Sequence, residues 1–252
     1  FLAERVDAQF EQQVAIKLVG TQTLAADAQA RFRAERQILA GMQHPFIAHL
    51  LDGGTTEDGA AYLVMEYVVG EPIDAYCTAH HLPVDATLRL FKKVCAAVAY
   101  VHRNLVVHRD LKPGNILVDA QGDPKLLDFG IAKLISDTPD TADQTVQRLT
   151  PDYASPEQIL GEPVTTVSDV YALGVLLYKL LSGQRPYELA GLRPAEVERL
   201  VVETGPIRPS VASRSSDAGE ALPAELDALV LKAMNPEPEQ RYASVLAPTD
   251  NT

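Results

Sequence analysis

Hydrophobic residues in the first third of the chain occur in short runs rich in β-branched and aromatic side chains, a pattern that predicts β-strands. The predicted strands cover residues 1–6, 13–19, 47–55 and 60–67. Between the second and third strands, Phe32, Ile38 and Leu39 recur near helical spacing, and Gly41 is a suitable stop. The pattern therefore predicts a small sheet accompanied by one helix over residues 25–40.

After residue 67 the hydrophobic pattern becomes helical. Apolar residues recur at three- and four-residue steps at Leu88, Phe91, Val94, Val98 and Val101. They predict a long amphipathic helix that ends near His102. The apolar run over residues 170–178 is shorter than the ~18 residues of a membrane span, so it predicts a buried core helix. A further helix is predicted over residues 223–234.

Two short apolar runs, residues 116–118 and 125–127, flank a turn at Gln121-Gly122-Asp123 and predict a hairpin. The hairpin carries Asn115 at one end and Asp128 at the other, so we expect these two polar side chains to lie close together. Polar stretches without periodicity predict loops over residues 136–147 and 210–219.

Composition narrows the class of protein. The 252 residues are 46% hydrophobic, enough for one large domain or two lobes. The net charge of −12 argues against a nucleic-acid partner and favours basic protein substrates. Cys77 and Cys95 are too few for a disulfide framework, which predicts a reducing, cytoplasmic setting. No signal peptide or membrane segment is evident, although the full-length protein could be anchored to a membrane outside this span, and nothing indicates an oligomeric state.

The segment His-Arg-Asp-Leu-Lys-Pro-Gly-Asn over residues 108–115, followed by Asp-Phe-Gly at 128–130, carries the chemistry of phosphoryl transfer. His-Arg-Asp alone, or Asp-Phe-Gly alone, is common in surface turns, but the two tripeptides together in this order predict a protein kinase. Asp110 can accept the proton of a substrate hydroxyl, and Lys112 can neutralise the transferring group. Asn115 and Asp128 can hold the magnesium ions that bridge the phosphates.

Lys17 lies at the end of an apolar strand. By itself this pattern is common in strands whose last residue is solvated, and it does not indicate a site. Glu35 lies three residues after Phe32 and four before Leu39, so it shares the inward face of the predicted helix. An ion pair between Lys17 and Glu35 would direct the ammonium group at the nucleotide phosphates. His80 and His81 near Cys77 suggest a metal cluster only weakly, because no second pair with ligand spacing follows. His108 is predicted to pack and hydrogen-bond rather than to act as the base.

Over nearly its whole length the chain resembles the catalytic domain of a bacterial, eukaryotic-like serine/threonine protein kinase. The matching positions, in order, are residues 14–17, Glu35, residues 65–68, residues 108–115, residues 128–130, residues 155–157, Asp169 and Arg241. The resemblance implies an α+β fold with two lobes and ATP between them. Residues 1–67 would form a small antiparallel-sheet lobe with one helix, and residues 68–252 a larger, mainly helical lobe.

For the nucleotide, the resemblance implies that Met65 is the gatekeeper and that Glu66 and Val68 meet the adenine through their backbone groups. It also assigns Ala15 and Leu117 to the nucleotide site. The implied cofactors are ATP and Mg²⁺, with Mn²⁺ as an alternative ion, and the implied substrates are serine and threonine hydroxyls of proteins.

Lys112 and Thr150 match the serine/threonine branch and disfavour a tyrosine kinase. The resemblance further implies that Arg109 pairs with a phosphate on Thr145 or, as second choice, Thr141, which would be placed there by autophosphorylation.

Three other residues have implied structural roles. Glu157 and Arg241 would form a buried ion pair. The pair would fasten the activation segment, which includes residues 155–157, to the larger lobe. Asp169 would hold the backbone of the catalytic loop, while its position also fits a helix N-cap, and both roles are compatible.

The chain departs from the family pattern at its ends. The loop Gly-x-Gly-x-x-Gly-x-Val is absent, because Phe1 aligns with the aromatic residue that follows it. Since those glycines let backbone amides cover the phosphates, a fragment of this extent is expected to bind ATP weakly and to expose an unpaired strand edge. The residues after Arg241 leave no room for the family's final helix.

Three functions remain open on this sequence. An active serine/threonine kinase is favoured, because every residue for magnesium and the substrate hydroxyl is present. A pseudokinase scaffold would be indicated by lost catalytic residues. A small-molecule kinase of related fold would lack the Ser155-Pro156-Glu157 segment.

Overall fold

A computed structural model describes residues 1–7, 10–19, 26–57, 59–129, 151–214 and 222–245. Its N-terminal part is a four-stranded antiparallel sheet in the order β1-β2-β4-β3. The strands are β1 (Leu2–Asp7), β2 (Phe10–Val19), β3 (Leu50–Thr55) and β4 (Ala61–Glu66). As predicted, β1 lies at an edge of this sheet.

Helix α1 (Ala26–Ala40) contacts strand β3 and buries Phe32 and Leu39. The strand predicted to begin at residue 47 starts only at Leu50. Ile47 instead forms an isolated parallel bridge with Leu126, and both side chains are buried. This bridge joins the N-terminal part to the rest of the chain.

The C-terminal part is mainly helical, which confirms the predicted fold class. Its helices are α2 (Ile73–Ala79), α3 (Val84–Arg103), α4 (Pro156–Leu160), α5 (Thr166–Ser182), α6 (Pro194–Glu203), α7 (Pro209–Arg214) and α8 (Ala224–Ala233). The predicted core helix is α5, which contacts α2, α3, α7 and α8 and is buried over most of its length. Among the residues described, no helix is long and apolar enough to cross a membrane.

A three-stranded sheet places the catalytic segment against the helices. Strand β5 (Glu71–Pro72) pairs with β6 (Ile116–Val118), which forms the predicted hairpin with β7 (Pro124–Leu126). Beyond the hairpin, the Leu127 N–H donates to the carbonyl of Asn115 at 2.8 Å. This bond fixes the backbone next to Asp128 relative to Asn115.

The loop predicted over residues 210–219 is wrong for its first part, because residues 209–214 form helix α7. Asp227 stabilises this helix by accepting hydrogen bonds from the Ser210 N–H at 2.9 Å and from the Ser210 hydroxyl at 2.5 Å. Ala212 and Ser213 are buried. The polar composition of this stretch predicted a loop, whereas the structure has a helix that is hydrogen-bonded to the distant Asp227 carboxylate. The loop predicted over residues 136–147 lies outside the described residues.

Candidate active site

The three predicted catalytic residues meet on the loop between α3 and β6. One oxygen of the Asp110 carboxylate lies 2.9 Å from both the Lys112 ammonium nitrogen and the Asn115 amide nitrogen. The same amide donates to the Asp110 carbonyl at 2.8 Å. The Asp110 side chain retains 17% exposure, so solvent or a substrate can reach it. A carboxylate oriented by two donors and open to solvent is suited to act as a general base.

His108 connects this loop to the Asp-Phe-Gly segment. Its ring is fully buried, with Nε2 3.0 Å from the Leu127 carbonyl and Nδ1 accepting the Asp110 N–H at 3.3 Å. Burial lowers the pKa of His108 and outweighs the nearby charge of Asp169. The ring is therefore neutral, with its proton on Nε2, and it packs 5.1 Å from the ring of Phe129. As predicted, it packs and hydrogen-bonds.

Asp169 holds the backbone of the catalytic loop. Its two carboxylate oxygens accept the N–H groups of His108 at 2.8 Å and Arg109 at 2.9 Å. Nε2 of His102 lies 2.8 Å from the same carboxylate. The alternative prediction of a helix N-cap is wrong, because Thr165 caps α5 and Asp169 lies inside the helix.

Asp128 has the features of a cation ligand. Its Oδ2 lies 3.3 Å from the Lys17 ammonium nitrogen. Its Oδ1 is buried and, within the described part of the chain, has no hydrogen-bond partner. A buried carboxylate oxygen without a donor is costly, and a bound magnesium ion would satisfy it. The side chain of Glu35 lies outside the described residues, so its predicted ion pair with Lys17 stays a prediction.

The segment predicted to meet the adenine, residues 65–68, is called the hinge and begins within the last two residues of strand β4. The Glu66 N–H is already used, since it donates to the His49 carbonyl at 2.9 Å, and the Glu66 carboxylate pairs with Lys125 at 3.4 Å. The backbone groups of Val68, in contrast, have no hydrogen-bond partner among the described residues. An unpaired backbone N–H and C=O can bind the polar edge of a ligand such as adenine.

The remaining predicted nucleotide residues lie on either side of this hinge. Ala15 pairs with Met65 in the N-terminal sheet, and Leu117 pairs with Pro72 in the second sheet. Met65, Asp128 and Phe129 line one small cavity. The adenine site predicted at these residues therefore stays a prediction.

Glu157 and Arg241 form the predicted buried ion pair. The guanidinium group meets both carboxylate oxygens at 2.8 Å, and the two side chains are 4% and 0% exposed. Burial would raise the pKa of Glu157, but hydrogen bonds from Arg241 and Ser168 outweigh burial and lower it. The pair fastens α4 to the end of the described chain.

Other sequence candidates lie elsewhere. Thr141, Thr145 and Thr150 fall outside the described residues. Burial raises the pKa of the Cys77 thiol to about 11, and His80 packs against Tyr76 with ring centroids 4.3 Å apart. Within the described ranges, no group of three or more His, Cys, Asp or Glu side chains is placed to hold a metal ion.

A sheet-bearing N-terminal part and a mainly helical C-terminal part that carries the catalytic loop define a protein kinase domain. The family model for the protein kinase domain matches residues 3–247, and the chain belongs to this family. Membership implies the use of ATP and a divalent metal ion.

Similar proteins come from several bacteria. The serine/threonine-protein kinase PknB of Mycobacterium tuberculosis is 38% identical over 243 residues, covering 94% of this chain and 37% of that protein. The serine/threonine-protein kinase PrkC of Bacillus subtilis is 38% identical over 213 residues, covering 84% of this chain and 31% of that protein. A probable serine/threonine-protein kinase of Streptomyces coelicolor is 38% identical over 247 residues, covering 94% of this chain and 35% of that protein. The chain thus spans about a third of the length of these relatives.

Proposed function

We propose that the chain is the active catalytic domain of a serine/threonine protein kinase that phosphorylates protein substrates and its own activation segment. The observation that carries the proposal is the Asp110 carboxylate, oriented by Lys112 and Asn115 and still open to solvent. In the transfer, a substrate hydroxyl oxygen bonds to the γ-phosphorus of ATP, the bond to the ADP oxygen breaks, and Asp110 receives the hydroxyl proton. Lys112 balances negative charge beside the reacting group.

The roles of the nucleotide and metal residues belong to the same proposal. A divalent cation, when bound, neutralises the charge of the phosphate oxygens. Asn115 and Asp128 would hold Mg²⁺, with Mn²⁺ as an alternative, and the unpaired Oδ1 of Asp128 supports this role. Lys17, oriented by Glu35, would bind the phosphates. Ala15, Met65, Glu66, Val68 and Leu117 would surround the adenine.

Regulation and setting are proposed on the same basis. Arg109 would bind a phosphate on Thr145 or Thr141, and Thr150 would lie beside Asp110. Residues 1–67 would form the smaller lobe and residues 68–252 the larger. The chain would act in the cytoplasm on basic proteins, which its net charge of −12 favours.

The test compares Asp110→Asn and Asp128→Asn with the unchanged chain and with Asp85→Asn, an exposed control on α3. We expect Asp128→Asn to weaken nucleotide binding in the presence of magnesium. Asp110→Asn should keep binding but lose turnover, and the control should keep both. The measurements are a nucleotide titration and phosphate transfer to a basic protein. Near-normal turnover in Asp110→Asn would contradict the assigned role, and a chain that binds nucleotide without transfer would be a scaffold.

A further inference from the structure

Arg109, directly before the proposed base Asp110, has a strained backbone. Its φ angle is +66°, in the left-handed region that is sterically unfavourable for a non-glycine residue. Such a conformation persists only where neighbouring groups hold it. The Arg109 N–H is held by Asp169 at 2.9 Å. On the other side of Arg109, where the chain enters Asp110, the polar backbone group is the Arg109 carbonyl.

The Arg109 carbonyl is held by Gln158, a residue 49 positions away on helix α4. The Gln158 amide nitrogen donates to this carbonyl at 3.0 Å. The Gln158 amide oxygen accepts the N–H of Ser155 at 3.1 Å, the residue that caps the helix. Gln158 and Ser155 are 8% and 0% exposed, so water cannot easily replace either bond. One buried amide thus joins the helix cap to the strained residue of the catalytic loop.

The residues just before α4 are held in place by contacts that do not involve Gln158. Asp152 pairs with Arg185 at 3.0 Å, and residues 151–153 contact α5, the helix that carries Lys179. Lys179 in turn lies 2.5 Å from the Asp74 carboxylate. These contacts hold the segment before Ser155 in place. Through its hydrogen bonds to Ser155 and Arg109, Gln158 connects this segment to the catalytic loop.

We propose that Gln158 is a positioning residue, which holds Arg109 in its strained conformation and thereby sets the orientation of the Asp110 carboxylate. The proposal rests on the proposed kinase function. It makes the rate of phosphoryl transfer depend on how the end of the activation segment is seated, because the same amide binds Ser155 and Arg109. Nucleotide binding should not depend on Gln158, since its side-chain hydrogen bonds within the described residues go to Ser155 and Arg109.

The first experiment uses Gln158→Met, which keeps the length of the side chain but removes the amide. A matched control, Gly161→Ala, strains the C-terminal end of the same helix, where φ is +71° and no heavy atom lies near an added Cβ. Both variants should unfold at lower temperature. We expect Gln158→Met to lose ~10- to 100-fold in kcat with unchanged ATP affinity, and Gly161→Ala to keep kcat. Equal kcat for Gln158→Met and the unchanged chain would overturn the proposal.

The second experiment separates positioning from a general loss of structure. Arg109→Gly removes the strain, because glycine adopts positive φ without a steric cost. In that background Gln158→Met should lower kcat by less than about 3-fold, well below its effect in the unchanged chain. An equal loss in both backgrounds would show that Gln158 does not act through Arg109. Absence of transfer by the unchanged chain would instead refute the proposed function.

Discussion

Arg241→Met is expected to destabilise the chain strongly, because it leaves the carboxylate of Glu157 buried without a cation. The guanidinium group is 0% exposed and makes two contacts of 2.8 Å with that carboxylate. Its other donors reach the carbonyls of Asn235, Val167 and Pro236. Methionine is flexible and apolar, so it can fill most of the space without replacing any of these bonds.

The expected magnitude follows from the burial of the pair. Removing one partner of a buried ion pair costs ~3–5 kcal/mol, because the other charge stays desolvated. For a chain of this size each kcal/mol lowers Tm by about 2–4 °C, so Tm should fall by roughly 6–20 °C. The double variant Glu157→Leu, Arg241→Met removes both charges and should recover much of this loss.

The assay is thermal unfolding at pH 7, followed by circular dichroism. The control is Arg199→Ala, since the Arg199–Glu203 pair is 3.9 Å long with side chains 80% and 68% exposed. This control should change the free energy of unfolding by less than about 0.5 kcal/mol. If Arg241→Met unfolds within about 2 °C of the control, the ion pair does not carry the stability assigned to it.

Two further predictions concern protonation and packing. The pKa of His108 is lowered from its ordinary value of 6.5, so below pH ~6.5 the unfolded chain binds more protons and stability should fall between pH 7 and pH 5. His108→Phe should flatten this slope in unfolding curves, and an unchanged slope would contradict a neutral, buried ring. A Cβ on Gly70 would lie 2.6 Å from the Val118 carbonyl, so Gly70→Ala should cost ~1–3 kcal/mol and weaken ATP binding. Gly205→Ala, with no atom near its Cβ, is the control for both measurements, and equal effects of the two substitutions would refute the close contact.

The catalytic loop was predictable because its chemistry is local in sequence. Asp110, Lys112 and Asn115 lie within six residues, so any fold that forms this loop brings them together. The hairpin that joins Asn115 to Asp128 was predictable for the same reason, from two short apolar runs and a turn. The buried apolar character of α5 followed from its uninterrupted hydrophobic run.

Contacts between distant elements were not predictable from patterns. No period in the sequence indicates that Ile47 bridges to Leu126, or that Lys17 lies 3.3 Å from Asp128. Ser210 belongs to a polar stretch, and its hydrogen bonds to the distant Asp227 are not indicated by any pattern in the sequence. No sequence signal indicates that Gln158 contacts Arg109, because this contact depends on how α4 lies against the catalytic loop.

Helix α4 carries both a residue of the buried ion pair and the residue that bonds to the catalytic loop. We therefore expect stability and catalysis to be linked at this helix. It has five residues, too few to be stable alone, so its position depends on side-chain anchors. Glu157 and Gln158 are consecutive, and residues one apart on a helix point ~100° from each other. Glu157 therefore bonds to Arg241, while Gln158 bonds to the Arg109 carbonyl. Loosening the ion pair should thus also loosen the hold on Arg109, so a variant at Arg241 should lose kcat before it unfolds.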